Sequence, residues 1–222
     1  IWNMDEKKKY SISHQDLYPN IAILDGNLLL TLPLDISITT VMDALSHSFE
    51  AIWNKNANPT STTYAIESIS LILENIKGLK NNKHDVEIRK NLLNAANKAG
   101  LAFSNTKTAA AHSISYPLTI HYGIPHGIAS SMSLIPLLII NSESIQKPLG
   151  KILEQNVLTF NQLIEKIQSI PKDIIPYNLG KWGVSEANLD QLALESFTKG
   201  RMDNNVVELS VSDVRSILNK IY

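Results

Sequence analysis

Asp43 and His47 stand four residues apart in the run Met42-Asp43-Ala44-Leu45-Ser46-His47. On a helix that spacing stacks a carboxylate over an imidazole at about 6 Å, a separation that suits two ligands of one metal ion, although a lone pair of this kind is most often a surface ion pair. A second group changes the weighting. His112, His121 and His126 place three of the chain's six histidines within fifteen residues. His112 follows Ala109, Ala110 and Ala111 and is expected to be buried, where an imidazole needs a metal or a hydrogen-bond partner. His126, between Pro125 and Gly127, falls at a chain reversal or at the start of a helix expected over 128–138. One carboxylate oxygen with three imidazole nitrogens suits Fe²⁺ or Zn²⁺ better than Ca²⁺ or Mg²⁺, which require more oxygen ligands. With a position open to substrate, such an ion is a Lewis acid for a carbonyl or alkoxide oxygen.

These residues need helices to hold them, and the pattern supplies helices. From about Ile38 onward apolar residues recur at three- and four-residue spacing, through 41–52, 64–76, 86–102 and 149–167. Pro59 followed by Thr60, Ser61 and Thr62 can start a helix, 77–85 reads as a polar break, and Pro171 and Pro176 bracket a loop. Ser210 is an expected N-cap, with Asp213 three residues on as a weak capping box. Residues 1–34 differ in texture: 9–13 alternate polar and apolar, and 21–24 follow Pro19 as a short buried-strand pattern. Two or three short strands are expected there, completing a sheet whose other strands lie before Ile1 or in another chain. The expected fold class is therefore mainly α, with remnant strands over 1–34 and an all-helical domain over 35–222.

Composition narrows the function. With 222 residues, 44% of them hydrophobic, the chain can bury a substantial core. A net charge of -1, from 20 basic and 21 acidic residues, gives no electrostatic case for a nucleic-acid or anionic-membrane partner. There is no cysteine, hence no disulfide, thiolate ligand or cysteine nucleophile. The apolar run 134–140 is far shorter than the roughly 20 residues that span a bilayer, so a soluble, cytoplasmic protein is expected. The chain begins at Ile1 without an initiator methionine and reads as a fragment.

The run 42–51, the segment Gly100-Leu101-Ala102-Phe103-Ser104-Asn105-Thr106, His112 and the turn Gly123-Ile124-Pro125-His126-Gly127 together resemble the signature blocks of the iron-containing (group III) alcohol dehydrogenases. Asp203-Asn204-Asn205 and the segment 209–214 resemble that family's C-terminal end, so the likeness covers most of the chain. The resemblance implies a dehydroquinate synthase-like helical domain, with the metal ligands falling on Asp43, His47, His112 and His126. It also implies NAD(P)H held mainly by an α/β domain with a glycine-rich phosphate turn, and no such turn stands in this sequence. The isolated chain is accordingly expected to be inactive. A small aldehyde or alcohol is the implied substrate, and a homodimer is compatible with the family.

Many family members carry a histidine four residues after the third ligand, where this chain has Tyr116; Tyr116 or His121 is then the expected proton relay, with a packing aromatic before Pro117 as the equal alternative. Tyr116, the stretch 53–59 and the stretch 8–12 look most like the branch that reduces phosphonoacetaldehyde to 2-hydroxyethylphosphonate. A phosphonate needs cationic partners, for which Lys9, Lys55 and Lys107 are candidates. His84-Asp85 is the doublet of HD-type phosphohydrolases but lies in a polar stretch, His14 reads as a surface residue, and the three tryptophans read as packing. Two other functions stay open: a structural-metal binding module, and a non-redox dehydroquinate-synthase-like lyase.

Overall fold

The computed structural model describes residues 2, 3, 8–10, 12 and 14–222, with the side chains of Trp2, Lys8, Lys9 and Gln15 outside that description. Lys9, a candidate for the substrate, is therefore placed only by its backbone.

Three long helices form the centre: α1 (Leu34–Ile52), α2 (Pro59–Asn81) and α3 (Val86–Thr106), each packed on the other two. In α1, Ile38, Met42, Leu45 and Phe49 are fully buried at helical spacing. Local chemistry starts its neighbours. Asn58 and Ser61 cap α2 reciprocally with Pro59 in the first turn, and Asp85 accepts from the amides of Glu87 and Ile88 to cap α3. That is the role of the Asp85 of the His84-Asp85 doublet; His84 Nδ1 lies 3.0 Å from the Leu30 carbonyl. Arg89, only 2% exposed, donates to the carbonyls of Lys83 and Leu32 and to Ser37 Oγ. It thereby ties the start of α1 to α3.

Helices α4 (Ala110–Tyr122) and α5 (His126–Met132) pack on each other and on α1. There follow α6 (Leu134–Asn141), α7 (Gln146–Asn156), α8 (Phe160–Ser169), α9 (Leu189–Glu195) and α10 (Val211–Lys220). Ser210 and Asp213 form the expected reciprocal cap of α10. Among the described residues no single helix is long and apolar enough to cross a membrane.

Four expectations need correction. The helix expected over 128–138 is broken at Ser133, because Pro136 has no amide to donate to the Met132 carbonyl and Tyr177 Oη takes the Ser131 carbonyl at 2.6 Å. The stretch 149–167 is two helices: Val157 adopts a left-handed conformation (φ 53°) and Thr159 with Gln162 caps α8. The break expected from residue 77 begins at residue 82, since Leu79 is fully buried and prolongs the apolar stripe of Ile72 and Ile76. Residues 21–24 form no strand, and Ile21 and Ile23 are 81% and 87% exposed. A strand needs an adjacent edge for its amides, and among the described residues nothing pairs with this segment; β1 (Trp2–Asn3) pairs only with β2 (Lys8–Lys9).

Candidate metal centre

Helices α1, α4 and α5 converge on one point. Asp43 and His47 lie one turn apart on α1, with His47 Nε2 3.5 Å from Asp43 Oδ2. His112, in the first turn of α4, brings Nε2 to 3.4 Å from Asp43 Oδ1. His126 opens α5, and Asp43, His112 and His126 each offer a ligand atom within 4.8 Å of the others. The His47 ring is sandwiched between Phe103 and His112, at centroid distances of 4.1 and 4.2 Å.

Gly127 permits this approach. A Cβ at that position would stand 2.2 Å from the Thr39 carbonyl oxygen and 2.9 Å from Asp43 Cβ. Only a residue without a side chain lets the N-terminus of α5 press against α1. Ser130, one turn further along α5, donates its hydroxyl to Asp43 Oδ1 at 2.9 Å.

Glu50, with no exposed surface, completes the arrangement from behind. Its Oε1 accepts the His112 amide at 3.0 Å and its Oε2 lies 2.5 Å from His112 Nδ1. A carboxylate there holds the proton on Nδ1 and turns Nε2 toward Asp43. That Nε2 is buried and faces Asp43 Oδ1 at 3.4 Å, a nitrogen and a carboxylate oxygen disposed to share one ion.

The electrostatics agree. Burial opposes charge on Asp43, but hydrogen bonding and charge from His112 and His47 prevail and hold its carboxyl well below the usual range. Burial likewise opposes charge on Glu50, and the His112 charge beside it carries its pKa below the usual value. Burial would lower His112, yet the Glu50 charge, with Asp43, raises it to about 10. Burial and the neighbouring His112 lower His47. A negative field thus converges on His112 Nε2, and in donor type and charge these residues fit a divalent ion such as Fe²⁺ or Zn²⁺.

The cluster lines a cavity of about 590 Å³ that Lys107 and Tyr116 also line. Tyr116 is 8% exposed, with its ring 6.4 Å from that of His126 and nearly parallel to it. Two sequence candidates lie elsewhere, which corrects their expected roles. His121 Nε2 is 2.6 Å from Glu195 Oε2 and is not in the cavity, because four intervening helical positions carry it past Tyr116 toward α9. Lys55 lines a separate cavity of about 310 Å³ with Asp203 and Glu208, since its amide is bound to the Asn204 carbonyl in the loop after α9. His14 is exposed beside Asp16. Sequence reasoning missed Glu50, whose signal was its place one turn beyond His47. It also missed Ser130, Thr108 and Arg201, which carry no motif.

The C-terminal model of the Fe-containing alcohol dehydrogenase family matches residues 37–222, and the chain belongs to that family. It is 29% identical over 229 residues to the NAD-dependent methanol dehydrogenase of Bacillus methanolicus, covering 98% of this chain and 60% of that protein. It is 27% identical over 233 residues to a 1,3-propanediol dehydrogenase of Klebsiella pneumoniae, covering 100% and 60%. The structure of a sulfoacetaldehyde reductase from Bifidobacterium kashiwanohense in complex with NAD+ superposes with a TM-score of 0.89 at 26% identity, covering 100% of this chain and 59% of that one. The chain therefore spans about 60% of the length of these relatives.

Proposed function

We propose that this chain is the metal-binding part of an NAD(P)(H)-linked oxidoreductase that interconverts a small aldehyde and its primary alcohol. The pair we favour is phosphonoacetaldehyde and 2-hydroxyethylphosphonate. The observation that carries the reading is the convergence of Asp43, His47, His112 and His126 in the wall of one open cavity; a closed site would favour a purely structural ion. The solved sulfoacetaldehyde reductase, named for a small aldehyde with an anionic group, supports the substrate class.

A bound divalent ion supplies Lewis acidity toward an aldehyde or alkoxide oxygen, and a nicotinamide supplies the hydride. The chain's own groups set the stage. Asp43 is kept ionised by the imidazoles around it, and Glu50 fixes the ring of His112, so the donors are oriented before substrate enters. Tyr116 stands beside His126 in the cavity wall and is the group we assign to hold or pass the proton at the product oxygen. A tyrosine hydroxyl can both donate and accept a hydrogen bond, which suits that role.

The test is reconstitution of the whole enzyme with Fe²⁺ and with Zn²⁺, following NADH and NADPH oxidation over a survey of aldehydes that includes phosphonoacetaldehyde. Metal-dependent turnover with a phosphonate preference is expected. Turnover that survives thorough metal removal would refute the reading, and indifference to the phosphonate would remove the substrate assignment.

A further inference from the structure

The cavity that holds the four donors is also lined by Lys107, Thr108 and Arg201, none of which the ion or the carbonyl chemistry requires. Lys107 follows the last turn of α3 at φ 65°, ψ 177°, a conformation that glycine adopts freely and other residues adopt at a cost. The surroundings enforce it. The Lys107 carbonyl accepts from Asn54 Nδ2 at 3.2 Å and from Thr106 Oγ1 at 2.9 Å, and the Thr108 carbonyl accepts from Asn204 Nδ2 at 2.8 Å. The loop before α4 is thus clamped from two sides with a lysine at the strained position.

Arg201 is braced in a similar way. Its amide and that of Met202 bond the Thr198 carbonyl, the Thr198 amide bonds Ser113 Oγ on α4, and Arg201 Nη1 donates to the Gly200 carbonyl at 2.7 Å. Among the described residues neither Arg201 nor Lys107 forms an ion pair. A third lining group, Thr108, is 6% exposed, and among the described residues its buried Oγ1 has no hydrogen-bond partner. An unsatisfied hydroxyl in a cavity wall calls for a ligand atom. With a dication among the donors, Asp43 and Glu50 are compensated, and the charges of Lys107 and Arg201 remain for something anionic.

We infer that Lys107, Arg201 and Thr108 form a subsite for the tetrahedral anionic tail, phosphonate or sulfonate, of the aldehyde whose carbonyl is handled at Asp43, His47, His112 and His126. The inference rests on the oxidoreductase reading and names the residues that select its substrate. Arg201 supplies planar paired donors, Lys107 a point charge and Thr108 a hydroxyl, a set suited to three oxygens on one centre. A nucleotide phosphate carries the same chemistry. The subsite is assigned to the substrate because it shares one cavity with the metal donors.

The test compares wild type with Arg201→Met, Lys107→Met, Lys107→Gly and Thr108→Val in the whole metal-loaded enzyme. Measured are kcat/KM for phosphonoacetaldehyde, sulfoacetaldehyde and propanal, the KM of the coenzyme, metal content and Tm. Losing one charge-assisted contact is expected to lower the ratio of anionic to neutral aldehyde about 10- to 100-fold, with metal content retained. Lys107→Gly is expected to lose this preference while its Tm holds or rises, because the strain is relieved. Calorimetric titration of each metal-loaded protein with 2-hydroxyethylphosphonate reads the subsite without turnover. Binding that depends on Arg201 in a protein that turns over no aldehyde would uphold the subsite and refute the oxidoreductase reading. Turnover of all three aldehydes at an unaltered ratio in every variant would overturn the subsite alone, as would a defect confined to the coenzyme KM.

Discussion

Asp43, His47, His112 and His126 project from helices α1, α4 and α5, whereas Lys107, Thr108 and Arg201 stand in the loops that follow α3 and α9. The helical set is backed by buried groups: Glu50 behind His112, Ser130 on Asp43, Gly127 at the contact of α5 with α1. The loop set is held by asparagines, with Asn54 and Asn204 binding the carbonyls of Lys107 and Thr108. Loops of this kind accept side-chain changes without moving the scaffold. The two halves of one cavity thus differ in support: the donors sit on packed helices, the anion-facing groups on loops.

Damage behind the donors should therefore cost both stability and metal, while damage at the loops should cost selectivity alone. The largest effect is expected for Glu50→Ala, which leaves the buried, charged His112 without its partner. Removing one member of such a buried pair costs about 3–5 kcal/mol. Denaturant unfolding and metal titration should both register the loss, and Glu50→Gln should recover much of the stability with metal affinity still down about 10- to 100-fold. A Glu50→Ala protein with unchanged metal affinity would detach Glu50 from the donors.

Gly127→Ala follows, because its Cβ meets backbone rather than a movable side chain. A cost of about 3 kcal/mol is expected, at the upper end for overpacking, with weaker metal binding as α5 is pushed off Asp43. Stability lost while metal affinity holds would show that α5 does not set the donor geometry. The loop variants come next, at about 1.5–3 kcal/mol in binding of the anionic ligand and little in unfolding. Smallest is Ser210→Ala, a cap remote from the cavity, which should cost about 1 kcal/mol and leave metal binding untouched.

Acidity separates the regions too. In the metal-free protein His112, raised to about 10, contributes stability that is complete below its unfolded value near 6.5 and is lost as pH rises toward about 10. Asp43 and Glu50, both lowered, contribute stability that is present above ordinary carboxylate values and is lost as pH falls through their folded values. Metal-free Tm should decline on the alkaline side, and Glu50→Gln should flatten that decline. A profile identical to wild type would contradict the pairing.

Much of this was legible in the sequence, for physical reasons that also mark the limits. The stripe of α1, the helix start at Pro59, the cap at Ser210 and the helical spacing of Asp43 and His47 are local patterns, and local patterns survive in a linear reading; the caps at Asn58 and Asp85 were equally local and went unread. The breaks at Ser133 and Val157 were also local; Pro136 and the Thr159–Gln162 cap announced them and went unread. The exposed segment 21–24 was not decidable, since a strand exists only with its partner. His121 and Tyr116 were both candidates for the proton relay, and the contact of His121 with Glu195, 74 positions away, takes His121 out of the cavity. Arg201 reaches the donors' cavity only through the tertiary fold, and no spacing rule encodes that.

The most direct test of the shared centre is metal content. Protein loaded with excess Fe²⁺ or Zn²⁺ and then desalted should hold one ion per chain by elemental analysis. Asp43→Asn, His47→Ala, His112→Ala and His126→Ala should each lose it, while Arg201→Met keeps it. One ion retained in all four donor variants, or lost only in the Arg201 variant, would contradict this account.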